Sequence, residues 1–600
     1  MIGTYAAALA ICAASLAIGQ AAIGLCGARR WSWLAPAVGL ALVCAVCWGT
    51  VRLPGDGLLS ALAVVVLGVA AVAYLRGRVE ATREAFAAGW PVALVALLAT
   101  ALPFLAEGHF GILGTSFNPD MSQHLLAADR LAGGSSSQLL VQGYPLGPHA
   151  IVVALNKGLG IGLVQGFTGL TIAVAVLASL TALAAFRDLP APSRIAGALL
   201  VGLAYLVASY FAQGAFKETM QALYLLAFVL ALREADRDWT NLDLRFVPAA
   251  LIAVGSIYTY SFPGLIWLGG AFVLWGLATQ VTAAGGTVGG TPPEEASATG
   301  RGGGSPAVTG PAARELGLAL LVFFVFALPE LGRMIDFKQF ETFDPNGPGL
   351  GNLFGQISPF EALGIWPSGD FRLSPGDGAV PAIGYYLGIA FALALFIYGL
   401  VWLWRRRETA ILSGLAAAAL AYAAARVAGT PYTAAKAIEI GAPLVALAIV
   451  LPLAVEASAV RLSSGMRAKG APLYATVVGA AFVLAAGACS LLALANAPVG
   501  PTSYSSKLSE YRRLVGAGPT LVLASPRLLE EEHGQPFLAW ELRGGRVCIR
   551  STEDPTVPPR VRFVIQDEDG WTLTRVEDPV AGESPCPLVA ERQARQGPAR

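Results

Sequence analysis

EGHFGILGTSFNPDMSQHLLAADRLAGGSSSQLLVQGYPLGPHAIVVAL, residues 107–155, lies between long apolar runs and carries His109, His124 and His149, three of the chain's four histidines. It also holds Asp120, Asp129 and Tyr144. The flanking runs, near 88–106 and 160–186, are each long enough to cross a bilayer, which takes about 20 apolar residues. A chain that threads a membrane repeatedly and gathers titratable groups into one connection displays a site there.

Working outward, 55% of the 600 residues are hydrophobic and 13% charged, against about 25% charged in soluble proteins. This composition predicts an all-α polytopic membrane protein. A net charge of +1 offers no basic surface for nucleic acid. The first apolar segment, Tyr5 to Cys26, has no basic stretch before it and is followed by Arg29 and Arg30, the order of a retained helix. About fourteen spans are expected, near 4–27, 33–51, 57–76, 88–106, 160–186, 194–212, 217–233, 246–260, 262–280, 314–334, 381–404, 409–426, 434–456 and 472–496. Ser261, Phe262 and Pro263 break the 246–280 run, which reads as a hairpin or as one kinked pair.

Basic clusters at Arg29/Arg30, Arg76/Arg78/Arg83, Arg187/Arg194, Arg233/Arg237/Arg245, Arg405/Arg406/Arg407 and Arg461/Arg467/Lys469 fall on one side of the spans, and the positive-inside rule makes that side cytoplasmic. A linker over 281–313, rich in Gly, Pro, Thr and Ala, falls there too and reads as disordered. The opposite side receives loop 107–159, loop 335–380 and the tail. The expected division is a transmembrane domain over 1–497 and an extracytoplasmic α/β domain over 498–600. That domain starts with a helix, SSKLSEYRRLV, and continues with the strand-like runs TLVLAS, RVCIRS, RVRFVI and WTLTRV. Cys548 and Cys586 pair if the tail is extracytoplasmic and are free thiols otherwise. Cys44 and Cys47 form a CxxC inside a span with no polar neighbours, the pattern of packing residues.

In NPDMSQHLLAADRLA, apolar Met121, Leu125, Ala128 and Leu131 recur at helical spacing, predicting a short amphipathic helix at the interface. Asp120 and His124 share a face, four residues apart. Asp120 is either the N-cap, with Gln123 completing a capping-box variant, or a carboxylate that takes a proton from an acceptor hydroxyl. His124 is its partner, a metal ligand or a wet interfacial residue. Pro145 and Pro148 set a turn from which His149 opens a second short helix, and Tyr144 and His149 face the same cavity if the loop folds back. Charges near span ends are costly in a membrane. Lys217, Arg333 and Lys436 are candidates to hold a lipid-linked phosphate and stabilise it as a leaving group. Their alternatives are pairing of Lys436 with Glu439 and of Arg333 with Glu330, and snorkelling of Lys217. Tyr258 and Tyr260 line the cavity or anchor the interface, and Trp366 is a sugar platform or an anchor. No GxxxxGK[ST] or HExxH pattern is present.

The long outer loop with Asp120, the turn Tyr144-Pro145-Leu146-Gly147 and the re-entrant apolar helix after it resemble the GT-C superfamily of polytopic glycosyltransferases. The segment TPYTAAKAIEIGAPLV, with Lys436, is similar to actinobacterial members. The resemblance covers residues 85–500, mostly by layout. It implies a multi-pass plasma-membrane glycosyltransferase whose site lies on the extracytoplasmic face. A sugar would move from a polyprenyl-phosphate donor to a cell-envelope glycan, lipid or protein hydroxyl, with inversion. Asp120 would be general base beside His124. Tyr144 and His149 would shape the acceptor side, and Lys217, Arg333 and Lys436 would bind the donor. No cofactor is certain and a divalent metal is possible, though no DxD or DE pair stands at Asp120. The alternatives are a polytopic transporter or lipid flippase, which would show two related halves, and a non-catalytic scaffold of envelope assembly.

Overall fold

LVQGFTGLTIAVAVLASLTALAAF, residues 163–186, is small or apolar on every side, and a helix of that kind belongs in a core rather than at its rim. In the computed structural model it is buried throughout from Gly166 to Phe186, and the helix from Pro431 is nearly so. The structure describes residues 1–28, 30–77, 82–114, 120–133, 137–235, 239, 241–285, 313–337, 349–462, 471–502, 505–530, 534–583 and 586. Apart from its two ends, the expected linker 281–313 lies outside them.

The chain runs through α1 (Ile2–Leu25), α2 (Ala35–Val51), α3 (Asp56–Leu75), α4 (Thr82–Ala99) and α5 (Leu102–Ala106) into the loop, which holds strand β1 (Ile112–Leu113), α6 (Met121–Ala132), α7 (Gln138–Val141) and α8 (Gly147–Leu159). Next come α9 (Leu163–Phe186), α10 (Ala191–Gly202), α11 (Tyr205–Ala212), α12 (Phe216–Glu234), α13 (Val247–Gly285), α14 (Ala313–Ala327) and α15 (Leu331–Phe337). The last helices of the core are α16 (Ala382–Arg405), α17 (Thr409–Ala428), α18 (Pro431–Leu462) and α19 (Ala471–Ala495). The protein is therefore an all-α polytopic core.

Among the described residues, ten helices are long and apolar enough to cross a membrane, or eleven if a bent pair counts as one span. The difference from about fourteen has local causes. The α2 helix has only 17 residues. Helices α10 and α11 meet at 52°. The start of α12 carries Lys217 and Glu218, which lower its hydropathy. The two runs over 246–280 are two helical stretches within α13 that meet at the non-helical Ser261 (φ 58°, ψ −155°), and they count once among the ten. A non-glycine residue in that region is strained, and the surroundings hold it there. Gln221 on α12 accepts from the Ser256 hydroxyl (2.8 Å) and donates to the Gly264 carbonyl (3.0 Å), a backbone group near the break.

The tail begins with β2 (Val499–Gly500), which pairs antiparallel with β1, so the chain leaving the last span is stitched to the start of loop 107–159. Beside that stitch Gly114 and Gly214, both at positive φ, pack backbone to backbone. A Cβ on Gly114 would lie 2.0 Å from the Gln213 backbone carbon. The rest of the tail is a small α/β unit of α20 (Ser506–Val515), β3 (Pro519–Ala524), α21 (Pro526–Glu530), α22 (Gly534–Glu541), β4 (Arg546–Ser551), β5 (Phe563–Asp567) and β6 (Trp571–Arg575). Its sheet runs β4-β3-β5-β6, parallel except for the β5–β6 pair. Cys548 is disulfide-bonded to Cys586.

The α22 helix packs on α6, so α6 is buried on most sides instead of lying open at the interface. Trp540 of α22 is buried in the main core, and Arg543 stacks 3.6 Å above its ring. Arg543 also approaches Asp129 at 3.9 Å. Burial raises the Asp129 carboxyl above its usual range despite Arg543 and Arg130, so the seam is held by packing more than by this ion pair. Trp540→Ala should loosen the tail, costing about 3–5 kcal/mol and opening 501–583 to limited proteolysis. Asp129→Asn should leave the cleavage pattern unchanged. The opposite pattern would show that the charge holds the seam.

Candidate functional site

Three helices begin at one place: α6 at Met121, α12 at Phe216 and α18 at Pro431. Each helix start presents unpaired backbone N–H groups and the positive end of its dipole. Together they favour a negatively charged occupant. Between them lies a small polar cavity, lined by Asp120, His124, Lys217, Glu218, Tyr432 and Lys436, with the Tyr210–Phe216 turn closing one side.

Asp120 occupies the N-cap position, but its side chain makes no cap hydrogen bond and its backbone is helical. Its carbonyl serves the first turn, accepting from the N–H groups of Gln123 (2.8 Å) and His124 (3.4 Å). Its carboxylate turns to the cavity, with Oδ2 3.8 Å from His124 Nε2. His124 is buried, and its Nδ1 lies 3.1 Å from His149 Nε2. His149 is fully buried behind it, among Phe167, Phe216 and Tyr144. Residue 149 opens the helix on its packed face, so His149, expected to shape the acceptor side, stands behind His124.

Lys217 places its ammonium 4.1 Å over the Tyr144 ring and 6.0 Å from that of Tyr260. Rings hold a cation by their electron-rich faces without neutralising it. Lys436 stands 4.2 Å over the Tyr432 ring and pairs with Glu218 at 3.0 Å. The partner weighed as an alternative, Glu439, is fully buried, and among the described residues neither of its carboxylate oxygens has a hydrogen-bond partner. The reason is packing: α12 brings Glu218 across to α18, while Glu439 points deeper.

Arg333 does not line the cavity. Its guanidinium donates to the carbonyls of Leu140 (3.0 Å) and Tyr144 (2.6 Å), pairs with Glu330 at 3.3 Å and stacks on Trp48 at 4.8 Å. It clamps the turn that carries Tyr144, so the Glu330 pairing weighed from sequence is the one formed. Tyr258 donates to the Phe326 carbonyl, away from the cavity. Trp366 is buried edge-on against Tyr385 and offers no open face to a sugar. Among the described residues no group of three or more His, Cys, Asp or Glu is placed to hold a metal.

Glu218, Tyr432, Tyr210 and Gln213 were not singled out as site residues from sequence. Glu218 carried a signal, a carboxylate next to Lys217 at a span end. Tyr432 and Gln213 did not. Gln213 takes its place through loop 335–380, whose Asn352 donates to it at 2.7 Å.

Removing one partner of a buried ion pair strands the other, at about 3–5 kcal/mol. Lys436→Met should therefore lower the thermal midpoint in detergent, and adding Glu218→Gln should recover most of the loss. Equal midpoints for the single and double variants would mean that the pair is not coupled.

Comparison with protein-family models gives no match, and neither does a sequence comparison with curated proteins. Among solved structures, the chain is similar to ArnT from Cupriavidus metallidurans in the apo state, with 14% identity and a TM-score of 0.44 over 82% of this chain and 94% of that one. It is also similar to the arabinofuranosyltransferase AftD from Mycobacteria, with 13% identity and a TM-score of 0.45 over 79% of this chain. It spans 34% of the length of AftD.

Proposed function

We propose that the protein is a GT-C-type membrane glycosyltransferase that moves a sugar from a polyprenyl-phosphate donor to a hydroxyl of a cell-envelope acceptor. The observation that carries this reading is the meeting of two cations, Lys217 and Lys436, with two carboxylates, Asp120 and the Lys436-paired Glu218, around a cavity where three helix N-termini meet. The cations and helix starts suit a phosphate, and the carboxylate suits a proton acceptor. The apolar helices around the cavity suit a donor that arrives in the membrane.

In the proposed reaction the acceptor hydroxyl gives its proton to Asp120, and its oxygen bonds to the anomeric carbon. The bond from that carbon to the phosphate oxygen breaks, and the polyprenyl phosphate leaves with the electron pair. Lys217 and Lys436 stabilise the charge growing on it. A single displacement inverts the anomeric centre. His124 orients the Asp120 carboxylate, and Tyr144 holds Lys217 in place. Arg333, assigned to the donor from sequence, acts here by fixing the Tyr144 turn. The site is assigned to the extracytoplasmic face of the plasma membrane, in keeping with the basic clusters on the other side and with the tail disulfide.

Asp120→Asn keeps the size of the side chain but cannot accept a proton at neutral pH. It should lower transfer from radiolabelled polyprenyl-phosphate sugars by about 10²–10⁴-fold at an unchanged thermal midpoint. Near-normal turnover would remove Asp120 from the reaction. A thiol at exposed His109 (His109→Cys) should react with an impermeant maleimide in intact cells, and one at Ser297 (Ser297→Cys) should not. The reverse labelling would put the cavity on the cytoplasmic side.

A further inference from the structure

His149 has no exposed surface, yet it is hydrogen-bonded to the one histidine beside the proposed base. Its other nitrogen, Nδ1, is buried and has no hydrogen-bond partner among the described residues. The groups facing the histidine pair come from several elements. The α6 helix contributes Asp120, and the turn before α8 contributes Tyr144. Lys217 and Glu218 of α12 and Tyr432 and Lys436 of α18 face the same cavity as His124, as do Tyr210 and Gln213. The α9 helix contributes the apolar Phe167, and Phe216 of α12 completes the cage.

Burial in such a cage disfavours a charged His149, so its ring carries one proton. On Nδ1 that proton would be a buried N–H with nothing to accept it, which is rare in folded proteins. On Nε2 it meets His124 Nδ1 at 3.1 Å. His124 then accepts on Nδ1 and carries its own proton on Nε2, the nitrogen that faces Asp120. We infer that His149 is a positioning residue that donates its Nε2–H to His124 Nδ1 and so holds His124 as the neutral Nε2–H tautomer aimed at Asp120.

The consequence for the reaction rests on the transfer reading above. To become an imidazolium, His124 needs a proton on Nδ1. His149 would then have to move its own proton to the unpartnered Nδ1. The arrangement therefore resists protonation of His124, and the Asp120 carboxylate keeps its basicity instead of being neutralised by a cation beside it.

Solid-state ¹⁵N spectra of the full-length protein labelled at histidine test this directly, because the chain has only four histidines and single substitutions assign them. Between pH 6 and 8, His124 and His149 should both be neutral and protonated on Nε2. In His149→Phe the His124 titration midpoint should rise by about one pH unit. In His149→Gln, whose amide N–H₂ replaces the donor, it should return toward the wild-type value. A wild-type His149 protonated on Nδ1, or charged, would overturn the inference. So would a His124 midpoint unmoved by His149→Phe. If that variant does not fold, the wild-type spectrum alone decides. The spectrum reads the tautomer whatever the reaction is, so normal turnover of Asp120→Asn would remove the transfer reading and leave this one standing.

Discussion

The ion pair between Lys436 and Glu218 is the constraint on which the rest of the cavity depends. Both groups are largely buried at the starts of helices in the apolar core. Each would cost several kcal/mol there alone. Paired at 3.0 Å, they fix α12 against α18, and that fixes what stands beside them. Lys217 precedes Glu218 and is turned over Tyr144, while Tyr432 lies one turn before Lys436 and stacks under its ammonium. One pair so sets the spacing of two cations and two rings.

The loop side is held by different forces. The Arg333 guanidinium bridges two carbonyls of the 140–144 turn and is itself held between Glu330 and Trp48. Removing that planar fork would release the turn that carries Tyr144. At the other end of the loop, β1 is tied to the exit of the last span by β2. Trp540 brings the tail down onto α6. Asp120 therefore sits at the head of a helix covered from both sides.

Much of this architecture was legible in the sequence because local patterns carry it. The spacing of Met121, Leu125, Ala128 and Leu131 marks α6, Pro148 marks the start of α8, and the tail runs match β3, β4 and β6 with the start of β5 inside RVRFVI. The break at Ser261 was visible from Pro263, but not that Gln221 on another helix would hold it. Partner choice was not legible. Lys436 has Glu439 one turn away in sequence, and pairs with Glu218 because helix packing, not sequence distance, decides which carboxylate it meets. Likewise His149 reads as a cavity residue from the turn before it, and only the packing of α8 on α9 shows that it stands behind His124. The α2 and α12 helices look like spans by composition, yet one is short and the other begins with charges that serve the cavity.

The central claim is that this cavity receives a lipid-linked phosphate at Lys217 and Lys436 with Asp120 opposite. The most direct measurement is a structure of the full chain in lipid with a polyprenyl phosphate bound. The account predicts the phosphate within about 4 Å of both lysine ammonium groups, at the starts of α12 and α18, with the Asp120 carboxylate across the cavity. The chain also has an apolar furrow between α1, α3 and α8 that ends at Arg76. A phosphate seated at Arg76, with the cavity filled only by water, would contradict the account.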